Sequence, residues 1–216
     1  MKPTATVARR GMTLIEVCVS VAMLGTFLGS LLLVLEEGTR SARSGMARQS
    51  IEGRARRTLD RIAGELASAV ADSLTPNPTA PYGSQNLSFQ RVGTYSEGAM
   101  EEGELVSFEL ELDEGELDDN QDNDGDGLID ERRLVLTREP EGGEPVTSVI
   151  AHGIAELLEG ESANGLDDNG NGLKDEAGLS FQRTNNRLIV RLTVEQMDSE
   201  GNHLVRTLQT TVRLRN

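Results

Sequence analysis

The 216-residue chain has one cysteine, two histidines, no tryptophan and an aromatic content of only 3%. Each shortage excludes something. The lone Cys18 cannot close an intramolecular disulfide, so no covalent framework substitutes for a hydrophobic core, and cysteine usage is silent on redox compartment. His152 and His203 stand at no cysteine or carboxylate spacing that builds a zinc site, and both read as surface or sheet-edge residues. So few aromatics leave little to stack on a planar cofactor. No nucleophile elbow, P-loop or dinucleotide fingerprint is present, so the chain reads as a non-enzyme.

Positive charge is scarce as well. Lys+Arg 21 against Asp+Glu 36 gives a net charge of −15, and from residue 73 onward 11 basic side chains face 29 acidic ones, a net of −18. Such a surface repels nucleic acid and anionic lipid and suits cations or a basic protein face.

The chain does have one long apolar run. Hydrophobic content is a modest 37%, and much of it sits before residue 36. Residues 12–35 carry Glu16 as their only charge. At about 1.5 Å per residue such a helix spans a hydrocarbon core of roughly 30 Å. Lys2, Arg9 and Arg10 precede it, which puts the N-terminus in the cytoplasm and the rest of the chain outside. A secretory signal has a shorter run and a small-residue cleavage site, of which Leu28-Gly29-Ser30 is a poor version.

Helical spacing persists beyond the run. Ile51, Ala55, Leu59, Ile62, Leu66 and Val70 recur every three or four residues with arginines between them. One helix over 12–72 is expected, about 90 Å long. Its glycines permit bends, and Thr75-Pro76-Asn77-Pro78 ends it. Residues 79–216 read as strands and loops, with strand patterns at 87–92, 105–112, 134–138, 179–183, 188–194 and 204–214. Turn signals at 183–187 and 198–202 predict an antiparallel meander of the last three strands, while 146–158 fits a strand or a short helix.

Gly11-Met12-Thr13-Leu14-Ile15-Glu16 resembles the type III signal of type IV pilins and of the pseudopilins of type II secretion. That pattern is a short basic leader, a glycine, an apolar residue, then Thr-Leu-x-Glu and an unbroken hydrophobic run; Met12 stands where Phe is usual. The resemblance implies that a prepilin peptidase cuts between Gly11 and Met12 and methylates the new terminus. It further implies that Glu16 pairs with the amine of Met12 in its own or a neighbouring subunit. Physically, a lone carboxylate in a membrane span is costly and one facing an ammonium is compensated. Taken alone, Glu16 also fits a carboxylate near the interface that snorkels to water. A lipoprotein role for Cys18 is disfavoured, because Ile15-Glu16-Val17 lacks small residues.

Two acidic stretches, 122–131 and 167–176, match at a separation of 45 residues: six of ten positions are identical and three are Asp/Asn exchanges. The first fits a calcium-loop template with Asn120, Asp122 and Asp124 at alternate positions, Asp126 beside them, Gly125 at the turn and Glu131 as a bidentate ligand. The second offers Asp167, Asn169, the Asn171 carbonyl and Glu176, with Gly165 where the first ligand should be and Asn164 as a substitute. No flanking EF-hand helices are evident, so calcium loops inserted between strands are expected. A metal-free, solvated acidic turn is the competing reading.

The expected fold is α+β and pilin-like, a long N-terminal helix packed on an antiparallel β head with acidic insertions. Its divisions are 1–11 leader, 12–35 transmembrane helix, 36–72 amphipathic continuation and 73–216 extracytoplasmic head. The head looks most like minor pseudopilins of the J type or minor pilins. The resemblance implies a minor filament subunit in the bacterial inner membrane that primes or caps its filament. Its partners are then other subunits, the peptidase and the assembly platform. The rival expectation is a monomeric single-pass protein with a calcium-dependent binding domain.

Overall fold

In the computed structural model, residues 13–96 and 99–214 are described. The chain divides into two compact units, Met1–Gly45 and Met46–Asn216. The first unit is helical from Leu14 onward as part of helix α1 (Leu14–Leu66). Its large apolar side chains, Leu14, Ile15, Met23, Phe27 and Leu32 among them, are exposed on every face. It supplies the one helix, among the described residues, long and apolar enough to cross a membrane. The hydroxyls of Ser20, Thr26 and Ser30 donate to carbonyls three or four residues back at 2.8–2.9 Å, so these polar groups are satisfied within the helix, as an apolar solvent requires. The glycines of this stretch do not interrupt the helix.

In the second unit α1 continues to Leu66, short of the expected 72. Ser68 and Ala69 donate to carbonyls three residues back, Val70 is extended, and Ala71–Ser73 form a short 3-10 helix. The Val70 amide donates to the Gln90 carbonyl at 2.9 Å, and Val92 donates to Ser68 at 2.8 Å. A free sheet edge offers residues 68–75 backbone partners, and β-branched Val70 favours that geometry over another helical turn. The prolines at 76 and 78 lie past a helix that has already stopped.

Seven antiparallel strands follow: β1 (Leu87–Ser96), β2 (Ala99–Leu112), β3 (Arg132–Glu139), β4 (Val146–Ile154), β5 (Leu179–Thr184), β6 (Arg187–Met197) and β7 (His203–Arg213). They form one sheet in the order β1-β2-β3-β4-β6-β5, with β7 also on β6. β7 covers one edge of β6 along its length, while β5 and the end of β4 share the other. The expected meander of the last three strands is present, with turns at Asn185 and Gly201, both at positive φ. The ambiguous segment is strand over Val146–Ile154.

Ile51, Ala55, Leu59, Ile62 and Leu66 face one way along α1 and are buried in one cluster with Phe89, Phe108, Leu134, Leu136, Phe181, Val190 and Leu192. Three of the chain's four phenylalanines meet here, Phe108 lying 6.1 Å from Phe89 and 6.0 Å from Phe181 by ring centroid. Polar staples frame the core. Arg54 Nη2 donates to the Glu195 carbonyl at 2.9 Å, and Arg138 pairs with the buried Glu65. The 46–66 part of α1 thus belongs to the core of the head.

Candidate functional site

The sequence singled out two places, the start of α1 and the acidic repeats. At the first, Thr13 and Glu16 form a reciprocal cap. The Glu16 amide donates to Thr13 Oγ1 at 3.3 Å, and the Thr13 amide donates back to Glu16 Oε2 at 3.4 Å. This Thr-x-x-Glu arrangement satisfies two amides that a helix start otherwise leaves bare, and it puts an acid at the positive end of the helix dipole. Glu16 therefore has a local task that composition did not reveal. Gly11 and Met12 lie outside the described residues.

The acidic stretches are hairpin insertions, one between β2 and β3, the other between β4 and β5. Each is closed at its neck by the same backbone bond: the Asp113 amide donates to the Glu131 carbonyl at 3.0 Å, and the Leu158 amide to the Glu176 carbonyl at 2.8 Å. The 45-residue repeat is thus a repeat of structure. It also extends upstream of the matched ten residues, through Glu114-Gly115-Glu116 and Glu159-Gly160-Glu161.

Within each loop carboxylates hold backbone amides. Glu116 accepts from Asn123 and Asp124, both at 3.0 Å, and from Asp130 at 3.2 Å. Glu161 accepts from Asn169 at 3.0 Å and Asp175 at 3.2 Å. Asp130 takes the amides of Asp119 and Asn120; Asp175 takes those of Asn164 and Gly165. Asp122 and Asp167 receive Gly127 and Gly172 at 3.0 and 2.9 Å. Asp126 and Asn171 each accept from the leucine two residues on, at 2.8 and 2.9 Å. Those leucines, Leu128 and Leu173, are buried and anchor the loops.

The first loop brings its acids together. Oxygens of Glu116, Asp124 and Glu131 lie within 4.8 Å of one another, as do those of Asp122, Asp124 and Asp126; among the described residues these are the clusters that could hold a metal ion. Glu131 is 2% exposed, and its Oε2 is buried without a hydrogen-bond partner. Burial, together with the charges of Asp126, Glu116 and Asp124, pushes its carboxyl up to about 7. An oxygen-only, multi-carboxylate nest of this kind suits a hard cation.

The second loop keeps the backbone and changes the chemistry. Asn169 and Asn171 stand where the first loop has Asp124 and Asp126. Asn171 Nδ2 donates to Glu176 Oε1 at 2.6 Å. Burial raises the Glu176 carboxyl, which the Asn171 bond opposes.

Asn120 and Gly165, at the first template position of each loop, have matching backbone roles. Asn120 sits at φ 59° with its amide on Asp130, and Gly165, at φ 78°, does the same against Asp175. Asparagine and glycine stand there because both tolerate left-handed backbone, which is why a glycine could replace the presumed first ligand. Asn164, the expected substitute, is occupied by bonds to Asp175, Asp168 and Leu166. Glu116 and Glu161 were missed, although extending the repeat upstream exposes both. Each histidine has a carboxylate partner: His152 Nδ1 lies 2.8 Å from Asp113 and His203 Nε2 2.8 Å from Glu195.

No family model, curated protein or solved structure matches this chain.

Proposed function

We propose that the chain is a structural minor subunit of a type IV pilin-like or type II secretion pseudopilus filament. The observation that carries this reading is a span uncovered on every face, whose sole charge, Glu16, lies one turn from its start and five residues after Gly11. An ordinary anchor has no use for that acid beyond capping, whereas a helix destined to pack among identical helices gains an axial register from an acid–amine pair. On this reading the unprocessed chain sits in the bacterial inner membrane with its head extracytoplasmic. Prepilin peptidase cuts after Gly11 and methylates Met12, and the assembly platform extracts the subunit to prime or cap the filament.

The first acidic loop takes calcium. Its buried, unpartnered Glu131 oxygen and its convergent carboxylates support that assignment over magnesium, which keeps several waters and prefers few protein ligands. The same loop favours the second reading, a membrane-anchored monomer with a calcium-dependent binding domain. Mass spectrometry of the N-terminal peptide of membrane-extracted protein separates the two. A methylated Met12 start is expected for the filament subunit; an intact Met1 would overturn it.

A further inference from the structure

Residues 113–131 and 158–176 share a neck bond, a set of Asx turns and positive φ at corresponding positions: Gly125, Gly127 and Asp130 in one, Gly170, Gly172 and Asp175 in the other. Against this common backbone a single exchange reverses the chemistry at the neck. In the first loop Asp126 Oδ1 is engaged by the Leu128 amide, and Asp126 clusters with Asp122 and Asp124, the last of which also belongs to the Glu116–Asp124–Glu131 cluster. In the second, the same turn fixes Asn171 Oδ1 on the Leu173 amide, which leaves the NH2 of the amide facing Glu176. Which atom faces the glutamate is therefore set by the turn. Clustered carboxylates need a cation or a proton to offset their charge; a carboxylate bonded to an amide N–H is relieved of that need.

We infer that the second loop is a cation-independent copy of the first, in which the Asn171 amide gives Glu176 the partner that a bound calcium gives Glu131, so that the chain binds one ion and not two. This rests on the reading of the first loop as a calcium site. Beyond the acidic cluster itself, the observation that points to an ion there is the 2%-exposed Glu131, whose buried Oε2 has no protein partner in a nest of acids. Glu176 is also buried with Oε2 unpartnered, yet its other oxygen holds a 2.6 Å bond, and no group of three acids surrounds it among the described residues. Asn171 then sets the ion count, and Asp126 is its counterpart.

The test is calorimetric titration of the full-length chain in detergent micelles with calcium chloride after chelation, using reciprocal exchanges. Wild type should bind one calcium per chain, Asp126→Asn none, Glu176→Gln still one and Asn171→Asp two. In Asn171→Asp the ion of the first loop reports in the same sample that the head is folded. Asp126→Asn should also make loop cleavage by a protease insensitive to chelator, whereas wild type is cut faster without calcium. Two ions in wild type, one of them lost in Glu176→Gln, would overturn the inference and leave calcium in the first loop intact. One ion in both wild type and Asn171→Asp overturns it as well. No ion in wild type removes the calcium reading itself, and the inference with it.

Discussion

Phe108→Ala should remove a large part of the stability of the head. Phe108 is fully buried and joins two ring pairs, 6.1 Å to Phe89 and 6.0 Å to Phe181. Deleting a buried phenylalanine ring costs about 3–5 kcal/mol through lost transfer energy and the cavity left behind. Each ring pair adds about 0.5–1.5 kcal/mol beyond area, which puts this site in the upper part of that range. A domain of ordinary stability has about 5–15 kcal/mol in all. With a urea slope of about 2 kcal/mol/M, the midpoint should fall by about 2 M. The assay is urea unfolding of the full chain in micelles, followed by far-ultraviolet circular dichroism. Phe27→Ala, in the exposed apolar part of α1, is the control and should leave that midpoint unchanged. A loss below about 1 kcal/mol for Phe108→Ala would refute the packing argument, since it falls outside what a core phenylalanine costs.

Two further outcomes follow from polar groups of the head. Arg54→Met keeps the aliphatic stem and removes the donor to the Glu195 carbonyl and the Gln196 side chain; it should cost about 1–3 kcal/mol in the same unfolding assay. Burial raises the Glu195 carboxyl, against the pull of His203, so its contribution is complete below its unfolded value and is lost as pH rises through the higher folded value. Glu195→Gln should flatten that decline above pH about 4.5 and His203→Ala should steepen it, as read from denaturant midpoints at pH 4 to 8.

Much of this architecture is legible in the sequence because period-two alternation and turn residues are local signals. The strands at 105–112 and 188–194, the turns at Asn185 and Gly201, and the apolar stripe of α1 all depend on nearest neighbours along the chain. The rest is decided by distant backbone. Residues 68–72 have helical spacing, but Ser68 and Val70 leave the α-helix to bond with β1, an edge no local pattern discloses, and Ala71–Ser73 form a 3-10 helix. Val146–Ile154 became strand because β3 lies beside it. In the acidic loop the closed neck also brings Glu116 to the cluster from further upstream, and the Asn120 backbone sits at positive φ with its amide on Asp130. The Thr13–Glu16 cap is a local signal too, a Thr-x-x-Glu pattern at a helix start.

That cap sharpens the central question, because Glu16 could be retained for capping or for pairing with the Met12 amine of a neighbouring subunit. Three variants separate the roles. Glu16→Gln keeps an oxygen for the Thr13 amide and loses the charge, Thr13→Val keeps the charge and loses half the cap, and Glu16→Ala loses both functions of the acid. The decisive measurement is the amount of each variant in sheared filaments relative to the membrane fraction, with cleavage after Gly11 verified by mass. Thr13→Val should be incorporated, whereas Glu16→Gln and Glu16→Ala should remain in the membrane. Incorporation of Glu16→Gln at the wild-type level would contradict the account and leave Glu16 as a helix cap.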